Sequence, residues 1–119
     1  MPLDWNTHAL SAGLACYRNQ EFFEAHEHWE AAWNQLAGME KSFVQGLIQV
    51  TVAMHHYSTS NRAGALSLLK RALTRFERSP DRFCSVNVNS LITDVRAWID
   101  ALETRTVAMP PPPEIRLAL

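Results

Sequence analysis

The run Phe43-Val44-Gln45-Gly46-Leu47-Ile48-Gln49-Val50-Thr51-Val52-Ala53-Met54 decides how this chain must fold. It is apolar nearly all round and lacks the period-two alternation of a half-buried strand. No proline falls between Pro2 and Pro80, so nothing prevents a long helix there. The spacing predicts one helix over about 40–58, and a helix apolar on most sides must be buried on most sides. Gln45, Gln49 and Thr51 interrupt the run, and it falls short of the ~20 apolar residues that span a bilayer. Other helices must therefore cover it.

Those helices are readable on either side. Leu10, Leu14 and Tyr17 recur at i, i+4, i+7 and predict a first helix over about 5–18. The Asn19-Gln20 pair ends it. A second helix covers about 21–36, with Gly38 as its C-terminal stop. Asn61 is a good N-cap for a fourth helix over about 62–77, closed by Ser79-Pro80-Asp81. Leu91, Ile92, Val95, Trp98, Ile99 and Leu102 form a helical stripe in a fifth, about 88–103, capped by Asn87 or Asn89. Short connections imply antiparallel neighbours. The expected fold is all-α, a single compact bundle of about five helices over residues 1–106. Residues 107–119 form a proline-rich tail. The prolines at 110–113 cannot be helical, and they send Ile115, Leu117 and Leu119 either away from the bundle or back against it. No second copy of any segment occurs at a fixed period, so this is not a repeat protein.

The polar residues inside this pattern are the informative ones. On the second helix Phe22, Ala25, Trp29, Trp33 and Leu36 gather on one face. His26 falls inside that face and Glu30, one turn on, lies at its margin. Glu27 lies between core and solvent, and Glu24, His28, Ala31 and Gln35 point outward. On the third helix Gln45, Gln49 and His56 share one row. A buried amide or imidazole needs a partner, because leaving it unsatisfied costs about 1–3 kcal/mol. The simplest joint solution faces the two rows, so that His26 and Glu30 meet Gln45, Gln49 and His56. A helix offset of one residue would exchange His56 for His55.

The same residues carry a family resemblance. Phe22-Phe23-Glu24-Ala25-His26-Glu27-His28-Trp29-Glu30, then Gln45-Gly46-Leu47-Ile48-Gln49-Val50, then His56 and Asn61-Arg62-Ala63-Gly64-Ala65 resemble the DUF309 family of small bacterial and archaeal proteins. The resemblance implies a compact helical bundle and no assigned chemistry. His26, Glu27, Glu30, Gln45, Gln49 and Gly64 stand at its signature positions.

Three readings of the polar set follow. The first is a satisfied hydrogen-bond network that fixes helix register. The second is a pocket between helices for a small polar ligand or a partner segment, as bundles often build. The third is a divalent metal site. His26-Glu27 begins like HExxH, but position 30 is Glu rather than His. His26, Glu30 and His56 could still supply the three ligands a catalytic zinc wants, with Glu27 as general base of a hydrolase. Gly46 and Gly64 lie inside helices, where glycine costs about 1 kcal/mol relative to alanine. They read as close helix approach or as room for a ligand. Trp29 and Trp33 read as core, and Lys70, Arg71, Arg75 and Arg78 as a solvated face.

A formal net charge of −1 offers no basic footprint for nucleic acid. The N-terminus has neither a basic nor an apolar segment of a secretory signal. The two cysteines, Cys16 and Cys84, are too few and too far apart for a disulfide scaffold. The expectation is a cytoplasmic binding or interaction module, with a metal-dependent hydrolase as the alternative. Its partner is a small ligand or a protein, and a homo-oligomer through residues 115–119 is a separate expectation.

Overall fold

A computed structural model describes residues 3–105 and 108–117. Five helices follow one another: α1 (His8–Arg18), α2 (Phe22–Trp33), α3 (Gly38–Ser58), α4 (Arg62–Glu77) and α5 (Val88–Thr104). A two-stranded hairpin, β1 (Arg82–Phe83) and β2 (Val86–Asn87), precedes α5. Each helix packs against the next one along the chain. The architecture is all-α apart from that hairpin. None of the described helices is long and apolar enough to cross a membrane.

α3 carries the core. Phe43, Val44, Leu47, Val50, Ala53 and Met54 are buried, as its composition requires. Close packing depends on glycine at two helix contacts, α3–α4 and α1–α2. At Gly46 an added Cβ would lie 2.6 Å from Phe76 Cε1, so α4 approaches the backbone of α3 there. At Gly13 the indole of Trp29 occupies the space a side chain would take. Trp29 also donates to Leu10 O at 3.3 Å and stacks on Tyr17, which locks α2 to α1.

Both predicted asparagine caps form. Asn61 Oδ1 accepts from Gly64 N at 2.9 Å and Asn87 Oδ1 from Ser90 N at 3.1 Å. Two boundaries differ from expectation. α1 begins at His8 rather than near Trp5, because Asp4 organises a turn through Asn6 N and Thr7 Oγ1. That leaves Trp5 free to donate to Cys84 O at 2.7 Å. Gly38 does not stop α2, which ends at Trp33. With φ +63 it opens α3 instead.

The hairpin has no signature in the sequence. Its turn residues, Cys84 (φ 54) and Ser85 (φ 61), are both left-handed, a conformation that Asn and Gly adopt more readily. Outside contacts hold the turn in place. Trp5 binds it from the N-terminal side. Asn87 N donates to Arg116 O at 2.9 Å, and Val86 bridges Leu117, from the C-terminal side.

The proline segment returns to the bundle. Trp98 Nε1 donates to Pro111 O at 2.8 Å, Tyr17 Oη to Pro113 O at 2.6 Å and Arg18 Nη2 to Ile115 O at 3.2 Å. Asp94 Oδ2 accepts from Glu114 N at 3.0 Å. Ile115 is buried and Leu117 half-buried. An oligomer built on a free apolar 115–119 segment therefore loses Ile115, its first anchor; Leu119 lies outside the described residues. The expected boundary between residues 106 and 107 also falls outside them.

Two measurements test this packing. Gly46→Ala overpacks the α3–α4 contact, and chemical denaturation should show a loss of about 1–3 kcal/mol. Tyr17 is buried, and burial, with Asp94 nearby, pushes its phenol well above the ordinary value of 10. The native state therefore keeps this proton while the unfolded chain releases it above pH ~10. Stability should fall by about 1.4 kcal/mol per pH unit above that point. Tyr17→Phe should remove this fall, at a cost of about 1–3 kcal/mol at neutral pH for the orphaned Pro113 carbonyl.

Candidate functional site

Contacts along α3 define two of its faces. Arg75 Nη1 donates to Ser42 Oγ at 3.0 Å, Phe76 covers Gly46, and His56 lies beside Asn61 at 3.4 Å. Ser42, Gly46 and His56 thus form the row against α4 and its cap. On the other side Lys41 Nζ sits 4.2 Å over the ring of Trp33, and His55 meets the ring of Phe23. Lys41 and His55 thus mark the row against α2, and the crossed order shows the two helices antiparallel. Helical spacing puts Gln45 between these rows and Gln49 within the row toward α4, two turns from both Ser42 and His56. A groove results, walled by α2 and α4 and floored by α3.

One end of that groove is an open cavity of about 370 Å³ lined by Trp33, Gly38, Lys41, Ser42, Gln45 and Arg75. Gln45 is half-buried there. One turn further along α3, Gln49 is 7% exposed, and its Oε1 has no hydrogen-bond partner. Thr51, the other buried polar residue, is satisfied within the helix by donating to Leu47 O at 2.7 Å.

The polar residues of α2 are placed differently from the expectation. His26 is half-buried. Its Nδ1 lies 2.6 Å from Phe23 O, and since a carbonyl only accepts, Nδ1 carries the proton. Nε2 then faces Glu30 Oε1 at 3.9 Å. Glu27 and Glu30 are exposed, so they do not share a buried network. Among the described residues no hydrogen bond joins His26 or Glu30 to Gln45, Gln49 or His56. The physical reason is the angular position of the rows. α2 meets the row of Lys41 and His55, whereas His56 turns toward α4. Among the described residues no three His, Cys, Asp or Glu side chains lie close enough to hold a metal ion.

Trp33, Lys41, Ser42 and Arg75 complete the groove. Trp33 reads as core and Arg75 as a solvated face from sequence alone. Only the short 34–37 connection hints that Trp33 would lie opposite the first turn of α3. His28, read as a surface residue, packs edge-on against His8.

Residues 10–68 match the model of a family described as a domain of unknown function, DUF309. The DUF309 segment covers nearly all of α1, then α2, α3 and the first half of α4, so it includes the groove floor and its α2 wall but not Arg75. An uncharacterised protein of Aquifex aeolicus (strain VF5) is 29% identical over 104 residues, which cover 86% of this chain. The match spans 30% of that relative's length.

Gly64, at one of the DUF309 signature positions, admits the side chain of Asn61 where a Cβ would collide with it. Asn61 thereby caps α4 and meets the end of α3 at once. Asn61→Ala should cost about 0.5–2 kcal/mol in thermal or urea unfolding.

Proposed function

We propose that this protein is a non-catalytic binding module whose site is the groove between α2 and α4, floored by Gln45 and Gln49. The supporting observation is the unpartnered Oε1 of Gln49. A buried acceptor with no donor costs about 1–3 kcal/mol, and such groups call for a specific explanation. A donor on a ligand in the groove would supply it. Gln45 extends the polar floor toward open solvent. Gly38 keeps the mouth open, with nothing within 4 Å of where its side chain would be. Cys16 and Cys84 are unpaired, which suits a reducing compartment such as the cytoplasm. The alternative of a metal-dependent hydrolase keeps only the His26–Glu30 pair. His56 is held at Asn61, so the third ligand that a catalytic zinc site wants has no candidate among the described residues.

Gln49→Leu tests the reading. Replacing an unsatisfied amide by an apolar side chain of similar size should stabilise the free protein by about 1 kcal/mol. In a thermal-shift panel of amino acids, sugars and nucleosides, a compound that stabilises the natural chain should lose its effect on the variant. A ligand at a hundred times its Kd stabilises by about 2.7 kcal/mol, so the shift is measurable. A Gln49→Leu variant less stable than the parent, or equal shifts in both, would show that the amide is a structural group.

A further inference from the structure

The groove is not uniform. At its open end two cations converge without a carboxylate. Among the described residues, Lys70, Arg96 and Arg116 each have an acidic partner, Glu103, Glu77 and Glu114. Lys41 and Arg75 form no ion pair with any of the described residues, and they line the same cavity. Lys41 is held over Trp33 by a cation–π contact, which positions the ammonium without neutralising it. Arg75 uses one N–H on Ser42, which fixes the guanidinium and leaves further donors of its fork available. Both charges are half-buried, where water screens them less than at an open surface.

The surroundings reinforce the sign. Gln45 can turn its amide N–H groups toward the same space. The N-cap of α3, Ala37, has no side-chain oxygen to cap the first turn, so the positive end of that helix adds to the field. Glu40, the acidic residue of that turn, lies by helical spacing on the opposite side of α3 from Gln45. Glu30, one turn before Trp33 on α2, faces His26 at 3.9 Å and is not among the residues that line the cavity.

We infer that the Lys41–Arg75 end of the groove is an oxyanion subsite, taking a carboxylate or phosphate group of the ligand. This inference rests on the binding-module reading and adds the charge of what binds. Lys41 supplies a point charge and Arg75 a planar fork, while Gln45 bonds to the remaining oxygen. The Gln49 carbonyl, one helical turn or about 6 Å further on, accepts from an N–H or O–H on the same ligand. The oxyanion is either that of a free small molecule or an acidic side chain of a partner protein, and these are separable.

The test is an NMR titration of the full chain at fixed ionic strength with inorganic phosphate, succinate and an acetylated tetraglutamate peptide. The indole N–H of Trp33 and the amides of residues 38–45 are the reporters. Saturable shifts confined to these reporters are expected. Lys41→Gln and Arg75→Gln should each weaken binding about tenfold or more, since each removes a charge-assisted contact. Lys70→Gln, outside the groove, should leave it unchanged. Succinate or phosphate binding as tightly as the peptide would assign a free small molecule. A peptide tighter by tenfold or more would assign an acidic partner segment. No saturable shift with any of the three probes overturns the inference, as does an equal loss in Lys70→Gln. If that happens while an uncharged compound still stabilises the natural chain but not Gln49→Leu, the groove reading stands and only the oxyanion subsite falls.

Discussion

A long helix flanked by two others on neighbouring sides cannot be closed over in the angle between them. That constraint shapes the rest of this protein. α2 and α4 both lie against α3, on rows about a quarter-turn apart, marked by Lys41 and His55 on one side and by Ser42, Gly46 and His56 on the other. Apolar residues on the remaining arc are covered by the core. The gap between the flanking helices must be polar or filled, and here α3 places Gln45 in it, with Gln49 one turn further along under the α4 side. The groove follows from the packing order of the helices and needs no specialised loop.

Two glycines let neighbouring helices come close, one between α3 and α4 and one between α1 and α2. Phe76 reaches the backbone of α3 at Gly46, and Trp29 reaches α1 at Gly13. Burial of those two rings contributes several kcal/mol. It also fixes helix spacing, because a ring over a bare backbone has one depth of insertion. The surface ion pairs between α4 and α5, Lys70–Glu103 and Glu77–Arg96, are exposed and contribute little by comparison.

Local interactions were legible in the sequence. Asn61 and Asn87 cap their helices through hydrogen bonds to residues three positions on, and the apolar stripe of α5 was plain from its period. What depends on distant partners was not. Cys84 and Ser85 adopt left-handed backbone that neither residue advertises, because Trp5 and Arg116 hold the hairpin from both ends of the chain. The polar row of α3 was also legible, but its partners were not. Angular position on a helix says which residues share a face. It does not say which neighbour that face meets, so His56 was expected at α2 and lies at α4. Lys41 and Arg75 had no signal, since a cation beside a groove and one on a solvated face look alike along a chain.

The hydrogen bonds that close the molecule join residues 79, 96 and 97 positions apart. Helical domains usually fold fast because their contacts are local. Here the helices can form early, but Tyr17 and Arg18 wait for Pro113 and Ile115. During synthesis the first four helices emerge with that edge of α1 still open to water. The surface is sealed only when residues 111–117 arrive, so the growing chain depends on that segment for protection against unwanted association.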